Sequence, residues 1–169
     1  HSAPTHTNLW TERDAVVICY GNSCTGLNEA PLATLARVLH ERTEGLFSMV
    51  HLLPFFPFSS DDGFSVINYR QVNESLGGWE DITRFSKQYR LMGDLVMNHC
   101  SARSQWFLQY EGNHPPGAGY FIEMDDTMDV SKVVRPRSSP LAKPVRTPAG
   151  EKFVWCTFSH DQVDLNYAN

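Results

Sequence analysis

Residues 15 to 20 (AVVICY) form an unbroken apolar run closed by Gly21 and Asn22, the pattern of a strand buried on both faces. From Pro31 to Arg42 the period changes. Leu32, Leu35, Val38 and Leu39 recur at helical intervals, and Pro31 sits in the first turn, where its missing N–H leaves nothing unpaired. Residues 47 to 55 (FSMVHLLPF) read as strand again. A polar loop follows, with turn signals in SSDDG at 59 to 63. The stripe Trp79, Ile82 and Phe85 predicts a second helix from Trp79 to about Tyr89. A third strand is predicted over 90 to 97 (RLMGDLVM), running out into Asn98 and His99.

Strands alternating with helices, each strand a buried run, argue for an α/β fold with a parallel sheet joined by right-handed crossovers. The polar stretches lie after Tyr20, after Phe55 and after Met97, at the carboxyl ends of the strands, where such sheets carry their ligand sites. The residues after the first strand, GNSCTG, do not carry a Gly-rich phosphate fingerprint, which weakens a dinucleotide-binding reading. The pattern breaks after His99. Residues 101 to 152 hold most of the prolines and the cluster PPGAG, and read as an irregular insertion; an apolar stretch at 153 to 158 (FVWCTF) reads as the return strand.

Composition narrows the partners. The chain has 169 residues, 19 acidic and 14 basic side chains, and a formal net charge of -5. No Lys/Arg cluster stands out, so nucleic acid is not an expected partner. No apolar run approaches the length of a membrane span. The opening residues HSAPTHTN lack the apolar core of a signal peptide, and the four cysteines show no C-x-x-C spacing. A reducing cytoplasm is the expected setting.

Three stretches carry candidate chemistry. In DLVMNH (94 to 99) strand alternation places Asp94, Val96 and Asn98 on one face and Leu95, Met97 and His99 on the other. Polar side chains there cost stability unless each has a partner or a ligand; Asp94 and Asn98 could equally hold loop backbone, with His99 a satisfied core histidine. In FFPFSSDDGF (55 to 64) adjacent acids beside a glycine make a turn, but four phenylalanines flank them. Rings beside carboxylates suit a sugar, whose C–H faces stack while its hydroxyls donate to the acids. TFSHDQVDLNY (157 to 167) again sets an aromatic ring beside hydroxyl-binding groups.

Taken together, VHLLPFFPFSSDDGFSVINYRQV, DLVMNH with SARSQWF, VVRPRSSPL and VWCTFSHDQVDLNYAN resemble the α-amylase superfamily (glycoside hydrolase family 13), in the branch of sucrose, glucosylglycerate and glucosylglycerol phosphorylases. The resemblance implies a (β/α)8 barrel with a domain inserted after the third strand. The expected boundaries are an N-terminal extension at 1–14, the first three strand–helix units at 15–100, the insertion at 101–152 and a return to the barrel at 153–169. It implies retaining glucosyl transfer to phosphate, by way of an Asp nucleophile and a Glu acid/base.

By resemblance, Asp61 anchors the far hydroxyls of the donor glucose, His99 hydrogen-bonds it and Phe64 stacks on it. Asp94 and Asn98 orient the site. Phe158 and Gln162 line the acceptor side, and Arg137 contributes near its mouth. An α-glucoside and phosphate are the implied small-molecule partners; no cofactor and no metal are expected. The family's nucleophile and acid/base motifs lie downstream of the DLN stretch and are not found before Asn169, so the isolated chain is expected to be inactive. Two other readings stand beside this one: a non-catalytic carbohydrate-binding or decayed module, and a hydrolase or transglucosidase of the same superfamily. Asn68, Gly78 and Gly93 depart from the branch pattern, and Gly93 is expected to leave a gap in the core. An open parallel sheet is expected to self-associate through its unpaired edge.

Overall fold

Three short parallel strands, β1 (Val16–Cys19), β2 (Met49–Leu52) and β3 (Arg90–Gly93), pair in the order β1-β2-β3. The computed structural model to which they belong describes residues 10–43, 45–125, 127–135 and 137–169. Most of the anticipated N-terminal extension, residues 1–9, therefore lies outside the described residues. The chain divides into two compact units. One holds the residues up to Phe55 together with Val72–Asp94; the other holds Phe56–Gln71 together with Leu95–Asn169. The fold is α/β with mixed sheets.

In the first unit the crossovers are α1 (Pro31–Thr43) and α2 (Trp79–Gln88), both where the periodicity places them. The Gly78 N–H at the start of α2 donates to the Asp81 carboxylate (3.0 Å), which satisfies one of the helix's orphan donors. Leu32, Leu35, Leu39, Ile82 and Phe85 form the buried stripes. On the sheet, Val50 and Leu52 are wholly buried.

Three expectations need correction in this unit. The run AVVICY is not buried on both faces: Val16 is 45% and Ile18 63% exposed, because the described residues cover only the face that Val50 and Leu52 share. The third strand stops at Gly93 and does not reach Met97. Beyond it the backbone leaves the ladder: the Val96 carbonyl accepts from the Tyr69 hydroxyl (2.9 Å) and the Met97 carbonyl from the Tyr167 hydroxyl. Gly93 opens no core gap either. It is exposed, and a Cβ built there would meet only the Phe55 ring, at an ordinary 3.8 Å. The stretch just before β1 is tied down: the Asp14 carboxylate accepts from the Thr11 N–H (2.7 Å), the Ser48 hydroxyl (2.8 Å) and the Arg90 guanidinium.

In the second unit β4 (His99–Ser101) starts a new strand. α3 (Gln105–Glu111) follows, opened by Ser104, whose hydroxyl accepts from the Phe107 N–H (3.1 Å). Next come β5 (Glu123–Met124), β6 (Ala142–Thr147) and β7 (Gly150–Trp155), an antiparallel sheet of order β5-β7-β6. β8 (Gln162–Asp164) pairs antiparallel with β4. The apolar run at 153–158 thus contributes a hairpin partner to β6 and not a strand of the parallel sheet. Its ladder with β6, from Ala142↔Trp155 to Thr147↔Gly150, crosses the boundary drawn at residue 152.

The core of this unit is Cys100, Phe107, Tyr110, Phe121, Val145, Val154, Cys156 and Val163. All four cysteines are free. Burial pushes the Cys100 thiol up to about 11 and the Cys156 thiol up to about 12, so both act as apolar filling. Among the described residues no helix is long and apolar enough to cross a membrane.

Candidate functional site

The loop between Pro57 and Ile67 closes on itself. The Ile67 N–H donates to the Pro57 carbonyl (2.7 Å), the Ser59 N–H to the Ser65 carbonyl (3.0 Å), and Phe58 bridges Val66. Its tip takes a left-handed backbone at three successive residues, with φ of +56° at Asp61, +49° at Asp62 and +108° at Gly63. Asp tolerates this region better than most side chains do, because its carboxylate bonds locally. At Asp61 and Asp62 this still costs about 1–3 kcal/mol each, which the surroundings must offset, whereas Gly63 adopts it without a Cβ penalty.

What fixes the tip comes from β8. Gln162, only 2% exposed, donates its amide N–H to Asp61 Oδ2 (2.8 Å), and its carbonyl accepts from the Ser159 hydroxyl (3.0 Å). Ser101 pairs with Gln162 and His99 with Asp164 in the β4–β8 ladder, so the strand pairing brings His99 and Gln162 together. Among the described residues no donor reaches Asp61 Oδ1. That oxygen keeps its accepting capacity for a ligand hydroxyl.

His99 is 6% exposed. Its Nε2 lies 3.0 Å from the Phe64 carbonyl, and its Nδ1 lies 3.3 Å from the Asn98 side-chain nitrogen. One tautomer satisfies both: Nε2–H donates to Phe64, and Nδ1 accepts from Asn98. The Gln162 amide nitrogen, 3.2 Å from Nε2, is then a close neighbour and not a donor to it. Burial lowers the His99 pKa; the Phe64 carbonyl and the Asp164 and Asp61 carboxylates push it up but do not prevail. The ring is therefore neutral at pH 7. The Phe158 ring lies across it, 5.1 Å between centroids at 61°.

Behind this cluster runs a second chain of bonds. The Asn98 amide donates to Asp164 Oδ2 (3.2 Å). Asp164 also accepts from the Thr157 N–H (3.0 Å) and hydroxyl (2.5 Å), and the Trp155 indole donates to Thr157 (3.0 Å). Asp164 is 5% exposed, so these donors are what makes its burial tolerable.

The structure thus gathers Asp61, Phe64, Asn98, His99, Phe158 and Gln162. Phe64 enters this bonding through its carbonyl, its ring half-buried. Asp94 belongs to the first unit and bonds His51 Nε2 through its carboxylate (2.9 Å). Arg137 is exposed, and among the described residues no hydrogen bond or ion pair engages it. Its neighbour Arg135 donates to the carbonyls of Cys156 and Thr157 (3.2 and 3.3 Å). The placement Leu95/Met97/His99 on one strand face fails: Leu95 and Met97 are exposed while His99 is buried. Sequence reading also missed Asp161, Asp164 and Thr157; their only signal was the density of hydroxyl and acid groups in TFSHDQVD.

Among the described residues no three His, Cys, Asp or Glu side chains gather as a metal cage. A cavity of about 780 Å³, lined in part by Tyr69, Arg70, Arg103 and Trp106, includes none of Asp61, Phe64, Asn98, His99, Phe158 and Gln162 in its lining.

The chain matches the family described as "Alpha amylase, catalytic domain" over residues 46–169. It is 52% identical over 160 residues to the glucosylglycerate phosphorylase of Allomeiothermus silvanus, covering 95% of this chain and 29% of that protein. With the glucosylglycerate phosphorylase of Escherichia coli it shares 45% over 159 residues, 94% of this chain and 28% of that protein. Among solved structures, sucrose 6F-phosphate phosphorylase from Thermoanaerobacter thermosaccharolyticum superposes with a TM-score of 0.80 at 28% identity, over 95% of this chain and 35% of that one. The chain spans less than a third of the length of the curated relatives it matches.

Proposed function

The chain belongs to the alpha-amylase catalytic-domain family, and from that premise we propose that it supplies the donor-sugar half of a retaining glycoside phosphorylase acting on glucosylglycerate, glucosylglycerol or sucrose. The observation that carries this reading is the Asp61–Gln162 hydrogen bond beside the buried, neutral His99 and its Phe158 ring. An acid with one free oxygen, a rigid amide and an aromatic edge are what a pyranose needs. The likeness to glucosylglycerate phosphorylases supports the phosphorylase branch over a hydrolase.

In this reading the first unit is the opening of a (β/α)8 barrel and the antiparallel sheet belongs to the inserted domain. Asp61 and Phe64 hold the glucose, His99 joins them by turning its Nε2–H from the Phe64 carbonyl to a sugar hydroxyl, Phe158 and Gln162 lie toward the acceptor, Arg137 flanks its entrance, and Asp94 and Asn98 keep the site in order. The chain by itself binds without cleaving. Asp61 and Asp62 are adjacent in one turn and cannot straddle a glycosidic bond at the roughly 5–5.5 Å that retention requires. Asp164 is fully engaged by Thr157 and Asn98.

The test is a calorimetric titration of the chain with glucose, alongside an assay for glucose 1-phosphate from glucosylglycerate or sucrose and phosphate. Binding with a dissociation constant on the order of millimolar, weakened about tenfold by Asp61→Ala, and no turnover, is the expected result. No glucose binding would overturn the sugar site. Turnover abolished by Asp61→Ala would overturn the claim that this chain cannot cleave.

A further inference from the structure

We infer that Asp161 is a positioning residue for the sugar site, holding the Ser59–Ser65 loop so that Asp61 is presented in its left-handed backbone. The inference rests on the sugar-binding reading above and adds a residue that takes no part in sugar recognition there.

Three hydroxyls converge on one carboxylate oxygen. Asp161 Oδ2 lies 2.5 Å from Ser59 Oγ, 2.5 Å from Ser60 Oγ and 3.0 Å from Ser65 Oγ. These residues stand about a hundred positions away in the chain and on both sides of the loop tip. Ser59 and Ser60 donate to Asp161 Oδ2, and the Ser65 hydroxyl is shared between that oxygen and the Asp161 backbone carbonyl (2.8 Å). Ser101 donates to Ser59 (2.6 Å). The same Asp161 carbonyl also accepts from the Ala102 N–H (2.9 Å), which ties Asp161 to the strand that carries His99. A carboxylate with two charge-assisted donors on one oxygen is the strong form of this contact.

Asp161 precedes Gln162 in sequence. Successive residues therefore grip the loop at two places: Asp161 takes the stem through its serines, and Gln162 takes the tip through Asp61. Two adjacent aspartates at positive φ persist only when the surroundings over-determine them, and no other carboxylate among the described residues binds the loop's hydroxyls. Burial would raise the Asp161 carboxyl, yet the hydroxyls of Ser59, Ser60 and Ser65, with Arg103 nearby, outweigh it and hold the group below its ordinary value. It is ionised, and so a pure acceptor, at neutral pH.

The experiment compares the wild-type chain with Asp161→Asn, Ser60→Ala and Ser60→Thr. The backbone amide resonances of Asp61, Asp62 and Gly63 and the affinity for glucose are recorded, with the denaturant midpoint measured for each variant. Asp161→Asn should move those three resonances and weaken glucose by about tenfold, and Ser60→Ala by about threefold. Ser60→Thr, which restores a hydroxyl, should return both readouts toward wild type. A merely structural role would lower the midpoint and leave the resonances and the affinity of the folded chain where they were; that result overturns the proposal. Shifted resonances with unchanged affinity overturn it as well. If Asp161→Asn does not fold, the Ser60 pair decides. If wild type binds no glucose, the sugar reading falls, while the resonances still report whether Asp161 sets the loop.

Discussion

In the first unit Val50 and Leu52 are wholly buried while Ile18 (63%) and Met92 (43%), on the opposite face of the same three strands, are exposed. In the second unit every member of the core cluster is at most 3% exposed, and Phe107 stacks on Tyr110 and meets Phe121 edge-on. One unit has a one-sided core and the other a closed one. The difference follows from sheet type. A parallel sheet needs cover on both faces, whereas short antiparallel strands can wrap one helix and complete a core from their own residues. The polar groups divide the same way. His51 and Asp94 hold to each other on the open face of the parallel sheet, whereas His99, Gln162 and Asp164 are buried and hydrogen-bonded within the second unit.

The contrast can be sharpened first at its strongest point. Phe107→Ala should cost about 3–5 kcal/mol in a denaturant titration, and Leu52→Ala about 2–4 kcal/mol, since the cavity penalty rises where neighbours cannot collapse inward. A larger loss at Leu52 than at Phe107 would reverse the ranking of the two cores. A smaller effect is expected from pH. The folded-state pKa of His99 lies below its ordinary value near 6.5 because the ring is buried. Above that value neither state carries the proton. As pH falls below about 6.5 the unfolded chain takes up a proton that the folded chain refuses, so stability drops through that window. His99→Gln should flatten the slope of stability against pH between about 6.5 and the folded value; an unchanged slope would mean His99 is not the group responsible. The smallest effect belongs to the open face: Ile18→Ser should change stability by less than about 0.5 kcal/mol. A loss beyond about 1.5 kcal/mol would mean that face is covered, as in a self-associated form, and the comparison would break.

How much of this was readable in the sequence depends on distance along the chain. α1 and α2 were legible because their apolar stripes are local and strongly periodic, and the three parallel strands because crossovers of that length leave few topologies. The ends failed where side chains compete for the backbone: nothing in RLMGDLVM announces that Tyr69 and Tyr167 will take the carbonyls of Val96 and Met97. The β6–β7 hairpin was hidden by Pro144 and Pro148, which made that stretch look irregular. At the site, Asp61, His99, Phe158 and Gln162 were expected through resemblance alone, and local pattern supported them only weakly. The bond that joins Asp61 to Gln162 spans 101 residues, and Asp161 offers no local sign that three serines will find it.

The left-handed tip separates two kinds of selection on neighbouring codons. At position 62 the backbone angle is the main demand, so a saturated library screened for folding retains Asp, Asn and Gly and loses the β-branched residues, whose side chains clash at positive φ. Position 61 carries the same angle and, in addition, the carboxylate that Gln162 meets. Asn or Gly at 61 survives a screen for folding and is lost in a screen for ligand binding, so the enrichment difference between two adjacent codons reads out which part of the loop is scaffold and which is site.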